Sequence, residues 1–248
     1  TAYFPAVFLW TTIDREVLLD LFEELTGARW SYNHFLPGGV FKDFPEGFEA
    51  KILEAVQYLR RRFKDYWNAM IENPMFEMRC DNVAILEPKD AIRLGATGPV
   101  LRGSGIPIDM RKEEPYAAYN SLDWEVITED ACDIMARTKV RFHEIGQSLN
   151  MMEQIAKEIP EGETRARFSP FSRAPEGEHI TRVENSRGEM SIHMWTDGTT
   201  NPYRVKIMPP SLRNMYVFER LAELSEIVVA DIPVVVNSID PWYLDSDR

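Results

Sequence analysis

Several charged residues in this chain are spaced so that chemistry is conceivable. Arg102, Asp109 and Arg111 fall within one Gly-rich stretch, Gly98 to Arg111. Mixed charges at that density suit a structural ion-pair network, because buried charges need partners. Arg137, Arg141 and Glu144 follow at spacings of four, three and seven, which places them on one helical face. A salt-bridged contact with a neighbouring protein is the default reading of such a face. His34 precedes the paired Gly38-Gly39. Its imidazole suits either a packed histidine or a proton relay. The tail reads Asp240-Pro241-Trp242-Tyr243-Leu244-Asp245, by residue type alone a turn with tucked aromatics. Tyr116 and Tyr119 read as packing, and Cys80 and Cys132 as buried thiols.

Other chemistries are excluded. Two cysteines cannot supply the four thiolates of an iron–sulfur cluster or a Cys-based zinc site. The four histidines lack metal-ligand spacing such as HExxH. Gly103-Ser104-Gly105 lacks the lysine of a phosphate loop. No nucleophile–base pair is evident either, so a self-contained soluble enzyme has no support.

The 248 residues carry 28 Lys+Arg against 40 Asp+Glu, a formal net charge of −12. That balance argues against a nucleic-acid partner and against a polybasic membrane anchor. A hydrophobic share of 44% is enough for a packed core, in one large domain or two modest ones. The longest apolar run, Ile227 to Val236, is interrupted by Asp231 and Pro233, too short to span a bilayer. The opening Thr1 to Trp10 is apolar but lacks the basic region and cleavage site of a signal peptide. It reads as the middle of something already buried, as in a fragment or one half of a split protein.

These residues need elements to hold them. Asp14 caps an expected helix to Thr26, ended by Gly27, with a stripe at Val17, Leu18, Leu21, Phe22 and Leu25. A second helix runs from Glu46 to Glu72, with Arg60, Arg61 and Arg62 on a solvated face and Asn73-Pro74 closing it. Pro88 to Leu94 is a short helix. The longest helix is expected from Thr128 to Ile159. Then the period changes: Glu178 to Glu184 and Glu189 to Trp195 alternate as strands around a turn at Ser186-Arg187-Gly188, and Tyr203 to Ile207 adds a third. Helix returns from Pro210 to Ile227. The expected fold is mainly α with a small antiparallel β insertion (α+β), the insertion covering 164–209.

The motifs point further. Gly98-Pro99-Val100-Leu101-Arg102-Gly103-Ser104-Gly105, with Asp109, Arg111, Pro115, Tyr116 and Tyr119, resembles the pattern GPxLRASGxxxDLRxxxPYxxY. That pattern belongs to the complex I component that is the counterpart of the NiFe-hydrogenase large subunit. Asp130 to Glu144 resembles that family's DxxARxxVRxxE helix. Gly177-Glu178-His179, Val183-Glu184, Arg187-Gly188-Glu189, Asp197-Gly198, Pro202-Tyr203-Arg204, Asp240-Pro241 and Asp247-Arg248 follow in family order. The resemblance covers essentially the whole chain. It implies a NiFe-hydrogenase large-subunit-like helical bundle whose N-terminal part is missing, residues 1–248 being the C-terminal portion.

The resemblance also gives the tail a meaning. Hydrogenases place a nickel-binding CxxC after the Asp-Pro. Here Trp242 and Asp245 stand at those positions, so a thiolate nickel site cannot form. What it implies is a cavity where the metal would sit, lined by Trp242 and Tyr243, with Asp240 and Asp245 supplying protons. No cofactor is expected on this chain. A 4Fe–4S cluster is expected in an adjacent small protein, the counterpart of the B-type subunit of bacterial complex I. The other expected partners are the counterparts of its C-type subunit and of its H-type membrane-arm subunit, and the N-terminal half of this same polypeptide. The implied place is the peripheral arm of a membrane complex, at the cytoplasmic face. The membrane-bound sulfane (polysulfide) reductase branch of heat-loving archaea is put first, coupled to ion pumping. Quinone reduction in complex I is the alternative, and a non-catalytic assembly protein is the third.

Overall fold

The computed structural model describes residues 5–160, 162–167, 169, 173–224 and 227–246. The terminal Asp247-Arg248 match and the first residues of the apolar opening, 1–4, lie outside the described residues. The fold is α+β, mainly helical with two small antiparallel sheets. It divides into two units, residues 1–69 with 146–172, and residues 70–145 with 173–248. Among the described residues no helix is long and apolar enough to cross a membrane.

The first unit contains α1 (Pro5–Thr26), the hairpin β1 (Phe35–Leu36) and β2 (Gly39–Val40), and α2 (Phe48–Met70). It also takes the second half of α7 (Ile134–Lys157). The predicted stripe of α2 is its buried side: Phe48, Ile52 and Val56 pack with Leu149 and Ala156 of α7. Leu21, Leu25 and Phe44 close over them.

The expected start of α1 is wrong. The helix begins nine residues earlier than Asp14, at Pro5, so Asp14 is no cap. It sits mid-helix, only 4% exposed. Tyr58 donates to its carboxylate at 2.6 Å and Arg62 Nε at 2.7 Å, and the Tyr66 hydroxyl donates as well. Burial by itself raises a carboxyl's pKa; the hydrogen bonds from Tyr58, Tyr66 and Arg62 outweigh it and hold Asp14 below its ordinary value. The arginine triplet is thus not merely a solvated face. Arg62 anchors α1, and Arg60 reaches Glu153 at 2.6 Å.

The second unit begins with α3 (Pro74–Cys80) and α4 (Pro88–Arg93). Asn73 does not simply close a helix: its side chain accepts from Met75 N–H and caps α3, with Pro74 in the first turn. Then come α5 (Pro99–Arg102), α6 (Met110–Glu113) and the first half of α7. This last helix starts at Ile134 and not Thr128. Cys132 takes a left-handed φ of 64°, which breaks helical continuity, and the Asp133 carboxylate accepts the Ala136 N–H at 2.7 Å as a cap.

The sheet has order β3-β4-β5, from β3 (Gly177–Asn185), β4 (Gly188–Thr196) and β5 (Arg204–Met208). In its register Asn185 opposes Gly188 and Glu184 opposes Glu189. After it come α8 (Pro210–Leu224), a 3-10 turn at Val229–Asp231, α9 (Ile232–Ile239) and α10 (Tyr243–Ser246). The hairpin turn is locked onto the Gly98 loop. A Cβ on Gly98 would meet Arg187 O at 2.4 Å, and one on Gly188 would meet Gly98 N at 2.7 Å. Asn214 of α8 accepts the Thr97 N–H at 3.0 Å, and the Thr97 hydroxyl accepts the Glu189 N–H at 2.8 Å.

Asp14→Asn is expected to lower unfolding stability by about 2–3 kcal/mol, the scale of hydrogen bonds to a buried charge. Because Asp14 has a depressed pKa, its contribution is present above the ordinary aspartate range and fades as pH falls through the lowered value. Denaturant titrations of both proteins across that range measure it: the gap between them should close in acid.

Candidate functional site

The buried charges of the second unit gather around Arg102, which is 1% exposed. It ends the four-residue helix α5, opened by Pro99 after Gly98 at a positive φ of 66°. Its Nε donates to Glu144 of α7 at 2.7 Å. Its Nη1 donates to Glu184 of β3 at 2.9 Å and to the Ile108 carbonyl at 3.0 Å, with Asp109 at 3.3 Å. Arg111 holds Asp109 from the other side, through Nε at 2.9 Å and Nη2 at 2.7 Å. Arg111 also stacks on Trp124, 4.6 Å from the ring centroid. The sequence-predicted group Arg102, Asp109 and Arg111 is therefore brought together, and it is joined by Glu144, which the sequence reading placed with Arg137 and Arg141 on a face contacting a neighbouring protein.

Glu184 completes this cluster and was not singled out from sequence. The available signal was a pair of glutamates, Glu184 and Glu189, placed symmetrically about the hairpin turn. Besides Arg102 it accepts the Met110 N–H at 3.1 Å. Tyr116 ties to the Glu184 backbone, its hydroxyl accepting the N–H at 3.2 Å. The two buried carboxyls respond oppositely. Burial pushes both up, but the Arg111 and Arg102 contacts win at Asp109 and hold it below its ordinary value. At Glu184 burial prevails over Arg102, and nearby Asp109 adds to the rise.

Arg137 and Arg141 differ from Arg102 in their partners. Arg137 is fully buried and, among the described residues, donates to neutral acceptors: Ser238 Oγ at 3.2 Å, Cys132 O at 3.1 Å and Ala84 O at 3.0 Å. Arg141 Nη1 donates to the Arg137 carbonyl at 3.0 Å, while its Nε and Nη2 are buried without a hydrogen-bond partner among the described residues. Burial lowers the proton affinity of both, and their mutual repulsion adds to it at Arg137. A guanidinium nevertheless keeps its charge in a protein. Asp240 and Glu144 offset part of the penalty at Arg141.

The tail is pinned at two points. Asp240 ends α9 at a left-handed φ of 55°. Arg187, in the hairpin turn, donates to the Asp240 carbonyl at 2.9 Å and to its carboxylate at 3.3 Å, and lies over the Trp242 ring at 5.4 Å. At the other end the buried Ser211 of α8 accepts the Trp242 N–H at 3.0 Å and donates to Asp245 at 3.1 Å. Trp242 is 38% exposed and Tyr243 65%, so within this chain their rings face outward. His34 belongs to the first unit, is 8% exposed, and has a buried Nδ1 with no hydrogen-bond partner among the described residues. Cys80 is buried, which pushes its thiol up to about 12; Cys132 is partly exposed.

A mainly helical chain with a buried arginine–carboxylate cluster and an Asp-Pro tail without cysteines defines the class of protein to be compared with known families. The family model described as respiratory-chain NADH dehydrogenase, 49 Kd subunit, matches residues 4–172 and 166–248. The chain belongs to that family. It is 36% identical over 251 residues to the D-type subunit of F(420)H(2) dehydrogenase from Methanosarcina mazei, covering 99% of this chain and 67% of that protein. It is 37% identical over 234 residues to the D-type subunit of NADH-quinone oxidoreductase from Desulforamulus reducens, covering 94% and 63%. Against the C/D-type subunit of NADH-quinone oxidoreductase from Phocaeicola vulgatus it is 36% identical over 235 residues, covering 95% and 45%. The chain thus spans about two thirds or less of the length of these relatives.

Arg102→Met is expected to cost about 3–5 kcal/mol, because it strands buried carboxylates without their cation. Arg102→Lys should recover only part of that, since an ammonium lacks the guanidinium fork that serves Glu144 and Glu184 together. Urea midpoints of the three proteins give the ranking. Equal stability of the methionine variant and the parent would show that the cluster does not hold the unit together.

Proposed function

We propose that this chain is the electron-acceptor subunit of a complex I-type membrane-associated oxidoreductase, passing electrons from a partner's 4Fe–4S cluster to a quinone-class acceptor. The observation that carries this reading is family membership along nearly the whole chain, together with relatives named as quinone oxidoreductase subunits. The electron donor is NADH or a reduced deazaflavin of the F(420)H(2) type, since relatives named for each cover the chain to a similar extent. The cluster belongs to the small partner protein, because Cys80 and Cys132 cannot provide four thiolates. That cluster supplies one-electron transfer when the complex is assembled. The further partners are the C-type subunit, joined to the D-type in the Phocaeicola relative as its name states, and a membrane-arm subunit. The place is the peripheral arm, at the cytoplasmic face of the cell membrane.

In this reading the chain's own residues bind and orient. The buried cations Arg137 and Arg141, hydrogen-bonded to neutral groups and only partly offset by nearby carboxylates, favour electron density placed near them, because a positive charge in a low-dielectric interior acts strongly. Asp240 and Asp245, held by Arg187 and Ser211, present carboxylates beside the outward aromatic rings of Trp242 and Tyr243. Those rings suit stacking on a planar acceptor or packing against a partner that completes the cavity. Carboxylates at that edge can hold the protons that a two-electron reduction of a quinone consumes.

Sulfane sulfur is the second reading. One feature favours it: the resemblance gives the quinone branch an aliphatic residue after Asp-Pro and a Gly in the stretch that follows, whereas this chain has Trp242-Tyr243-Leu244 there. The intact complex, assayed without oxygen against a soluble quinone and an organic trisulfide, separates the two. Inhibitor-sensitive quinone reduction without sulfide release is the expected result, and sulfide release without quinone reduction would reverse it. Asp245→Asn should lower turnover about 10-fold or more while leaving the stability of the complex nearly unchanged, if the carboxylate moves protons. Unchanged turnover would leave Asp245 as a tail anchor only.

A further inference from the structure

We propose that Glu184 is a proton-binding site: its carboxyl takes up and releases a proton inside the folded protein, and so sets how tightly β3 is tied to Arg102. The site stands whether or not the complex reduces quinones.

The geometry makes Glu184 the weakly compensated member of its cluster. Its side chain is 5% exposed, and among the described residues the one cation within ion-pair distance is Arg102. That guanidinium is already divided among Glu144, Asp109 and the Ile108 carbonyl. Arg111, the other nearby cation, is spent on Asp109 through a bidentate contact. On the sheet, Glu189 lies directly opposite Glu184 in register, hence on the same face, and like charges so placed repel. Glu189 has its own partner in Arg213 of α8, at 3.0 Å.

Each element packed around Glu184 brings its own charges. Arg102 comes from α5. Asp109 caps α6, which brings Arg111 and the Met110 N–H. Glu144 comes from α7, where Arg141 attracts it from one turn away. Glu189 comes from β4, and Arg182 on β3 itself is held by Glu114. Among the described residues the Tyr116 hydroxyl hydrogen-bonds the Glu184 backbone and not its carboxyl. Burial, with Asp109 beside it, favours the neutral form and outweighs the shared Arg102 and the Met110 N–H, which favour the charged one. Uptake is a single O–H bond formed with a proton from solvent; Glu144, with a side chain 19% exposed, is the most accessible of the three acids on Arg102. The neutral carboxyl still accepts from Arg102, but an ion pair has become an ordinary hydrogen bond. The strand so loosened leads, two residues on, into the turn that bears Arg187 and its contacts to Asp240 and Trp242.

The test is an infrared pH titration of the purified complex, with wild type, Glu184→Gln and Glu189→Gln in parallel. Wild type should show a carboxyl C=O band that titrates above the ordinary glutamate range and is missing from E184Q. In E189Q the same band should persist but titrate at lower pH, because the facing charge is gone. Thermal melts give an independent reading with a fixed sign. The folded state holds the Glu184 proton more tightly than the unfolded chain. Wild-type stability should therefore fall, relative to E184Q, as pH rises from the ordinary glutamate value to the raised one. Identical spectra for wild type and E184Q, or no displacement of the band in E189Q, would overturn the proposal. A complex that reduces neither acceptor would defeat the functional reading and leave this one to the infrared result.

Discussion

Arg102 organises the second unit because a buried guanidinium must be fully coordinated or it becomes a liability. Its four acceptors come from three places along the chain: the Ile108-Asp109 loop, Glu144 of α7 and Glu184 of β3. Helix and sheet are joined there by one side chain. Replacing such a network with apolar residues is often neutral for stability, so its value lies in specificity of arrangement as much as in energy. The Gly98–Gly188 approach works with it. Two backbones in contact fix where the hairpin starts, and the charge network fixes how its first strand leans.

The cationic pair one turn along α7 obeys a different logic. Arg137 and Arg141 donate to carbonyls and a hydroxyl, while Asp133, Asp240 and Glu144 act on them from beyond hydrogen-bond reach among the described residues. Neutral dipoles can hold a charge without cancelling its field. The carboxylates offset only part of the burial penalty, so much of the pair's positive charge stays uncompensated inside the unit.

Much of this was legible beforehand, for physical reasons. The α2 stripe and the β3–β4 hairpin follow from periodicity, because burial on one side imposes the period of the element. The ion-pair group Arg102, Asp109 and Arg111 was legible because mixed charges in an otherwise apolar, Gly-rich segment demand mutual pairing. Other features were hidden by tertiary context. Asp14 looks like a helix cap until Tyr58, Tyr66 and Arg62 are seen to hold it inside a longer helix. The start of α7 depends on the positive φ of Cys132, and residue type gives no warning of that. Glu184 appears in sequence as one more polar position of an alternating strand. Only the register against Glu189 and the approach of α5 turn it into a buried acid.

The end of α9 carries one more consequence. Asp240, where a glycine would be more relaxed, takes a left-handed conformation, and Pro241 then forbids the helix from continuing. The chain is forced to double back, and the short segment from Asp240 to Asp245 becomes a bracket with two separate mounts. One mount, Arg187, belongs to the hairpin; the other, Ser211, belongs to α8. A bracket fixed at one end to a strand tip and at the other to a helix holds the two elements to a common segment. The direction in which its two acids face is therefore tied to the strand tip and to the helix at once.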